Sequence, residues 1–258
     1  MANREAAWRT LITEPMTGAA NMALDHALMD RARRTGERVF RVYSWSEPTL
    51  SLGRHQLARG RIDAALARRK GIGLVRRPTG GRALLHHREV TYSVTAPLAP
   101  GDSVRSWYES INEVLFIALR SLGVDARPAI VAGRTPIPGT ASCFVRADDG
   151  EISLDGRKLV GSALLRQEDA LLQHGSILLD DDQAMLAGLL PEEEEPPAAA
   201  GTLRQALGVA PTLEQVAGAL FEALGPAPAT PFERDARLDD DAIEAERVYG
   251  SDAWTFRA

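Results

Sequence analysis

The chain has 258 residues, of which 45% are hydrophobic and 25% are charged, and its formal net charge is -5. This acidic balance argues against general nucleic-acid binding, which usually requires a basic face. One cysteine excludes an internal disulfide framework, and no apolar run reaches the roughly 20 residues that span a bilayer. We therefore predict one large domain over residues 1–258, in a cytoplasmic protein that binds neither nucleic acid nor a membrane.

Predicted strands and helices alternate irregularly through the first half of the chain. Thr17 is the expected N-cap of the first helix, and its buried stripe is expected at Met22, Leu28, Met29 and Ala32. The hydrophobic patterns predict, in order, a strand over 8–15, this helix over 17–36, strands over 38–45 and 49–53, a helix over 61–71, strands over 73–78, 82–87 and 90–97, and a helix over 103–123.

Consecutive strands and then short helices are predicted for the second half. A Gly/Pro-rich loop at 132–141 precedes predicted strands over 143–147, 151–156, 158–167 and 170–180. An acidic, Pro/Ala-rich exposed connection is expected at 191–201, and residues 202–258 are expected to form short helices. Strand runs broken by a few helices, without strict βαβ alternation, predict an α+β fold with a mostly antiparallel central sheet packed with helices.

The segment RRPTGGRALLHHREVTYS, residues 76–93, is the densest motif. Its two adjacent glycines let a backbone approach a ligand closely, with N–H groups free to bind a carbonyl or phosphate oxygen. Arg76, Arg77 and Arg82 would surround this turn with positive charge suited to phosphates or carboxylates. A Thr-Gly-Gly turn between strands is nonetheless most often a plain hairpin turn, and the segment has neither a Walker ending nor GxGxxG. Both interpretations stay open on the residues alone.

Cys143 is the only cysteine of the chain, and Lys158 is one of only two lysines beside many arginines. A lone cysteine in an apolar setting is usually a small buried side chain, and a lysine after Asp-Gly-Arg is usually an exposed charge. Alternatively, the two could share a site, because a neighbouring cation lowers the pKa of a thiol from about 8.5 and makes it a nucleophile. The choice of lysine in an arginine-rich chain favours this second interpretation.

Histidines offer little sign of a metal site. His86 and His87 are adjacent, so on a strand their side chains would point apart, and no second close ligand pair exists. His174 lies in a strand-like segment where a structural histidine is the common case, and no GxSxG signature is present. On the residues alone, the chain is expected to be an α+β enzyme with a glycine-arginine ligand turn and a Cys/Lys pair.

Five segments in order resemble one family. Residues 76–93 are similar to the RRxTGGxAVxH…YS signature of the biotin/lipoate protein ligase and octanoyltransferase superfamily. The segments NMALDHAL, PTLSLGRHQ, DGRKLVGSA and LQHGSILLD resemble its other blocks. Arg82, where ligases usually carry a third glycine, and the spacing of Cys143 and Lys158 are similar to the octanoyltransferases of the LipM type. His87 and Arg88 stand where relatives often carry acidic residues.

The resemblance implies a biotin/lipoate ligase core, related to class II synthetases, over about residues 20–225. It implies transfer of octanoyl from octanoyl-acyl carrier protein to a lysine of a lipoyl-accepting protein, such as the glycine cleavage H protein or an E2 lipoyl domain. Cys143 would be the nucleophile and Lys158 the residue that lowers its pKa, without metal or cofactor. The implied substrate-binding residues are Arg77, Thr79, Gly80, Gly81, Arg82, His86, Gly161, Ser162, Ala163 and His174.

Two other functions compete with this one. An ATP-dependent lipoate ligase would activate the free acid as an acyl-adenylate, with Lys158 on the carboxylate and phosphate and Cys143 incidental. A non-catalytic module would bind a lipoyl or acyl group without transferring it. Dependence on ATP and on Cys143 separates the three.

Overall fold

The computed structural model describes residues 7–129, 151–190 and 199–257. Cys143, the 132–141 loop and the predicted strand over 143–147 lie outside the described residues, as does most of the acidic connection. The strands are β1 (Trp8–Ile12), β2 (Arg38–Tyr43), β3 (Thr49–Leu52), β4 (Gly73–Arg76), β5 (Leu84–His86), β6 (Glu89–Pro97), β7 (Arg127–Pro128), β8 (Ile152–Leu154), β9 (Arg157–Gln167), β10 (Ala170–Leu178) and β11 (Thr230–Pro231). The helices are α1 (Gly18–Thr35), α2 (Ala64–Arg69), α3 (Val104–Ser121), α4 (Leu203–Leu207), α5 (Leu213–Glu222), α6 (Ala236–Tyr249) and α7 (Asp252–Thr255), with a 3-10 turn at Gln183–Leu186.

Local signals place the two long helices where the sequence predicts them. Thr17 caps α1 by accepting a hydrogen bond from the Ala20 N–H, and Gly36 ends it in the left-handed region at φ 77°. Ser103 caps α3 in the same way. The stripe predicted for α1 is buried in full, so periodicity identified the face that packs on the sheet.

The larger sheet has the order β11-β1-β2-β6-β10-β9-β8-β7. The pairs β11–β1 and β1–β2 are parallel, and the other described pairs of this sheet are antiparallel. Helix α1 covers one face, with α6 packed on it, and α3 and α5 cover the other. Because both faces are covered, every residue of β2 and β10 is buried. The α+β class predicted from the sequence is confirmed.

The smaller sheet corrects one prediction about the glycine turn. Strand β3 lies in the middle, parallel to β4 and antiparallel to β5. The turn Thr79-Gly80-Gly81 therefore connects two strands that flank β3 and do not pair with each other, and the hairpin interpretation is wrong. A hairpin turn needs only its own two strands, whereas this turn has to cross the end of β3.

Arg76 also differs from expectation. Its guanidinium is 1% exposed and donates hydrogen bonds to backbone carbonyls of Gly53, Gln56 and Thr255. The Trp254 indole N–H donates back to the Arg76 carbonyl over 2.9 Å. Arg76 thus fastens the C-terminal segment to the smaller sheet, and the prediction that it offers charge to a ligand is wrong. Among the described helices, none is long and apolar enough to cross a membrane.

Candidate active site

A cavity of about 390 Å³, part of it open to solvent, lies between the two sheets. Its lining is mostly apolar with a few convergent polar groups, and it consists of Met22, Tyr43, Trp45, Arg77, Gly81, Leu84, His86, Thr91, Gly161, Ser162, Ala163, His174, Gly175 and Ser176. The structure therefore gathers residues of the glycine turn, β5, β9 and β10 around one space, although the chain separates them by about a hundred positions.

Gly53 fixes the position of the glycine turn. The Arg54 N–H donates to the Thr79 carbonyl over 2.8 Å, so the backbones of the two loops touch. A Cβ atom on Gly53 would overlap the carbonyl oxygen of Gly81. Only glycine allows this approach. The segment PTLSLGRHQ contains Gly53, but nothing in the sequence indicated that this glycine fixes the position of the Thr-Gly-Gly turn.

Gly53→Ala is expected to displace the Thr-Gly-Gly turn, because the added methyl group overlaps backbone that has no flexible end to give way. We expect a loss of about 1–3 kcal/mol in the free energy of unfolding, the typical cost of overpacking, measured by urea denaturation. Gly80→Ala is the matched control, since a Cβ on Gly80 meets nothing within 4 Å. Equal stability of the two variants would contradict this role of Gly53.

Arg77 holds the turn from inside. Its guanidinium is buried and donates to the carbonyls of Ser51 (3.1 Å), Gly80 (3.2 Å) and Arg82 (2.8 Å). Gly81 adopts φ 96°, a conformation that favours glycine. The side chain of Arg82 is half-buried at the exit of the turn. Of the predicted arginines, Arg77 lines the cavity, while its hydrogen bonds shape the turn.

A buried chain of polar groups connects the turn to α1. The Thr79 hydroxyl lies 2.6 Å from His174 Nε2, and His174 Nδ1 lies 3.3 Å from the Asp25 carboxylate. Asp25 also pairs with Arg41 over 2.7 Å, and both side chains have no solvent exposure. A carboxylate only accepts, so His174 Nδ1 carries the proton and Nε2 accepts the proton of Thr79. Thr79 is fully buried, and its hydroxyl donates to His174. This network of Thr79, His174 and Asp25 therefore positions the turn and does not supply a nucleophile.

Opposing effects set the charges of Asp25 and His174 in this polar network. Burial raises the pKa of Asp25, but Arg41 and His174 lower it by more, so the net pKa lies below 3.8. Burial lowers the pKa of His174 below 6.5, against the opposing effect of Asp25. The folded site thus holds a carboxylate beside a neutral imidazole at neutral pH.

The lowered pKa of His174 predicts a pH-dependent stability. Between that folded pKa and 6.5, the unfolded chain binds a proton at His174 that the folded chain does not. The free energy of unfolding therefore falls as pH decreases below 6.5, by at most about 1.4 kcal/mol per pH unit. We expect His174→Gln to flatten this slope in urea titrations between pH 7.5 and 5.5, and the exposed His55→Gln to leave it unchanged. A slope identical in His174→Gln and the wild type would contradict the assignment.

His86 belongs to a second buried polar cluster beneath the cavity. Its ring nitrogens contact Ser51 over 2.6 Å and Glu89 over 2.7 Å, and its ring stacks on Trp45 with centroids 3.9 Å apart. His87, by contrast, is exposed and pairs with Asp182. The two adjacent histidines point apart as predicted. Within the described ranges, no group of three or more His, Cys, Asp or Glu side chains is arranged to hold a metal ion.

Strands β9 and β10 form the opposite wall. The Ser162 hydroxyl lies 2.7 Å from the Tyr92 phenol, which also accepts from Gln173 over 3.2 Å. Gly175 lies opposite Ser162, and a Cβ there would come within 2.7 Å of the Tyr92 ring. Gly161 and Ala163 flank Ser162 and carry little or no side chain, so this wall leaves room for a ligand.

Lys158 lies near the start of β9, four residues before Ser162, and is only 4% exposed. Its ammonium forms an ion pair with Glu151 over 2.7 Å, and Glu151 is 7% exposed. The interpretation of Lys158 as an exposed turn charge is therefore wrong; its neighbour Arg157 is the exposed residue. Lys158 and Ser162 both lie on β9, so this strand connects the ion pair to the cavity wall.

Several residues of this site were missed in the sequence, and some of them carried a signal. Asp25 lies on the buried stripe of α1, and Arg41 lies at an inward position of β2. A charged residue on an apolar face needs a buried partner of opposite charge. The ion pair between Asp25 and Arg41 could therefore have been predicted from the sequence. Glu151 carried no such signal, because its partner depends on an irregular register between β8 and β9.

Known proteins resemble this chain in sequence and in fold. Residues 17–225 match the model of the lipoyl protein ligase A/B catalytic domain family. Octanoyltransferase LipM of Kyrpidia tusciae is 40% identical over 273 residues, which cover 97% of this chain and 98% of the relative. Octanoyltransferase LipM of Moorella thermoacetica is 43% identical over 67% of this chain and 65% of its own length.

Among solved structures, a lipoate-protein ligase A bound with ATP superposes with a TM-score of 0.80. It covers 97% of this chain and 98% of its own, at 22% sequence identity, and that likeness shows the fold. The chain therefore belongs to the lipoyl protein ligase A/B catalytic domain family, and it is an acyltransferase with the α+β fold of lipoate ligases.

Proposed function

We propose that the chain transfers an octanoyl group from octanoyl-acyl carrier protein to a lysine of a lipoyl-accepting protein, through a thioester on Cys143. The burial of Lys158 on β9, the strand that also carries Gly161, Ser162 and Ala163 of the cavity wall, carries this proposal. The similarity to LipM octanoyltransferases over nearly the whole chain supports the octanoyl group as the cargo. The thioester, the carrier protein and the acceptor come from the resemblance of the Cys143 and Lys158 segments to that family.

The buried ammonium of Lys158 has to be stabilised by its surroundings. Removing a charge from water costs several kcal/mol unless a counter-charge and hydrogen bonds offset the loss. Glu151 supplies the counter-charge, with a carboxylate oxygen 2.7 Å from the Lys158 ammonium. In the proposed mechanism, the ion-paired ammonium of Lys158 stabilises the Cys143 thiolate. An exposed arginine or lysine would be screened by water and would do so less well.

The reaction then needs two acyl transfers. The Cys143 thiolate attacks the thioester carbonyl of the donor, and a new C–S bond forms to Cys143. The C–S bond to the carrier breaks, and the carrier leaves as a thiolate that takes up a proton from solvent. The acceptor lysine, as a free amine, attacks the octanoyl-enzyme thioester. An amide bond forms, the C–S bond to Cys143 breaks, and the amine loses a proton to solvent. Both steps start from an activated thioester, so neither needs ATP.

The cavity suits the acyl group that this reaction moves. Met22, Leu84 and the Trp45 ring supply apolar wall, and at about 0.8 kcal/mol per buried CH₂ an octanoyl tail contributes roughly 5 kcal/mol at most. The backbone of the Thr-Gly-Gly turn and of residues 161–163 would face the carbonyl, where N–H groups stabilise the charge that develops on oxygen. Arg77 and the Thr79–His174 contact would serve this step by fixing the turn.

An ATP-free transfer assay tests the proposed function. The chain is incubated with octanoyl-acyl carrier protein and an apo lipoyl domain, without ATP, and the mass of the acceptor is recorded. We expect an octanoyl mass increase on the acceptor, and none when free octanoate and ATP replace the donor. Modification only from octanoate with ATP would identify a ligase instead. Binding of the donor without any modification of the acceptor would identify a non-catalytic module.

A further inference from the structure

A second cavity lies at the end of the larger sheet opposite to the candidate active site. It measures about 1400 Å³, including space open to solvent, and is lined by Trp8, Arg38, Asp102, Ser103, Ser106, Trp107, Ser110, Ile111, Val114 and Leu224. Arg38 begins β2, and Tyr43 of the active-site cavity ends it. The two residues are five positions apart on the strand, which is roughly 17 Å. A ligand in one cavity therefore does not fill the other.

Arg38 is the unusual residue of this second cavity. Arg38 is 4% exposed, and its Nε and Nη2 atoms are buried and have no hydrogen-bond partner among the residues that the structure describes. Among the described residues it forms no ion pair, and Asp102 acts on it only at longer range. A buried guanidinium normally pairs with an anion, because unsatisfied N–H groups cost free energy. The described part of the fold therefore keeps this buried charge without an anion in contact with it.

The surroundings of Arg38 favour a ligand with both an anionic group and an apolar body. The guanidinium lies 5.1 Å from the ring centroid of Trp107 and 5.9 Å from that of Trp8, so the two indoles hold it in place. The N-terminus of the 18-residue helix α3, with its positive dipole end, lies on the same cavity. Ile111 and Val114, further along α3, supply apolar wall.

Asp102 narrows the choice of anion. Its carboxylate lies at the cavity rim, where it accepts a hydrogen bond from the Ala99 N–H. A negative charge there would repel a doubly charged phosphate more than a singly charged carboxylate. We infer that this cavity is a second binding site, separate from the acyl-transfer site, for a small organic carboxylate with an apolar body, whose carboxylate pairs with Arg38 between Trp8 and Trp107.

The four tryptophans of the chain make the test selective. Benzoate is the probe, and benzamide is its neutral counterpart. In ¹H–¹⁵N spectra of the full chain, we expect benzoate to shift the indole signals of Trp8 and Trp107 saturably. Trp45 donates its indole N–H to Thr91 beside the active-site cavity, and Trp254 donates its own to Arg76; both signals are expected to stay in place. Benzamide at the same concentration is expected to shift none of the four.

Arg38→Gln is expected to weaken benzoate binding by at least about tenfold, the effect of losing one charge-assisted pair. Arg120→Gln, an exposed arginine at the other end of α3, is the matched control and is expected to bind as the wild type does. Equal shifts with benzoate and benzamide, unchanged affinity in Arg38→Gln, or shifts confined to Trp45 would each overturn the inference. If Arg38→Gln does not fold, the comparison of benzoate with benzamide on the wild type still decides.

Discussion

Lys158→Met is expected to slow alkylation of Cys143 at pH 7 by at least about tenfold, because each unit by which a cation lowers the pKa of a thiol is a tenfold change in its thiolate fraction. Cys143 is the only cysteine, so the mass of the intact chain after iodoacetamide treatment reports this one thiol. Lys70→Met is the matched control, since Lys70 is the other lysine and lies exposed after α2. Equal rates in both variants would show that Lys158 does not act on the thiol.

The same substitution is expected to cost about 3–5 kcal/mol in the free energy of unfolding, because it leaves Glu151 buried without its counter-charge. The double variant Lys158→Met with Glu151→Gln removes both charges and is expected to regain most of that stability. Alkylation and octanoyl transfer are expected to remain slow in the double variant. Recovery of the alkylation rate together with stability would mean that Lys158 is only a structural residue.

Asp25→Asn is the second change with a large expected effect. It leaves Arg41 charged at 0% exposure and weakens the contact that orients His174 toward Thr79. Breaking a buried pair in this way costs about 3–5 kcal/mol, which urea denaturation measures. The transfer rate is expected to fall as well, since the Thr-Gly-Gly turn loses its support.

Asp30→Asn provides the control for this prediction. Asp30 lies on the same helix five residues later, with a partly exposed side chain that pairs with His26 and Arg33 at 3.7 Å. Exposed pairs contribute about 1 kcal/mol or less, so this variant is expected to keep both stability and activity. A loss in Asp30→Asn as large as that in Asp25→Asn would contradict the special role of the buried pair.

Local signals in the sequence predicted the helices well and the sheet pairing incompletely. Caps such as Thr17 and Ser103 act within one turn of helix, so the chain around them is sufficient to place a boundary. The order β4-β3-β5 depends instead on contacts between distant segments, and the short spacing around the Thr-Gly-Gly turn suggested a hairpin that does not exist. The residues around the turn do not distinguish a hairpin from two strands that pair on either side of β3.

The candidate site shows the same contrast between local sequence signals and contacts between distant segments. The motif segments identified the residues that line the cavity, because Gly81, Ser162 and His174 lie within recognisable blocks. The residues that support them were found only in three dimensions. Glu151 meets Lys158 through strand pairing, and Gly53 meets Gly81 through the approach of two loops. The roles of these supporting residues follow only from the residues that they contact in the folded structure.

Intact-mass analysis of the octanoyl-enzyme tests the central claim most directly. The wild-type chain is mixed with octanoyl-acyl carrier protein, without ATP and without acceptor, and its mass is recorded before and after hydroxylamine treatment. We expect one octanoyl adduct that hydroxylamine removes, and no adduct on Cys143→Ala. An adduct that persists in Cys143→Ala, or that forms only when ATP is present, would contradict the thioester mechanism.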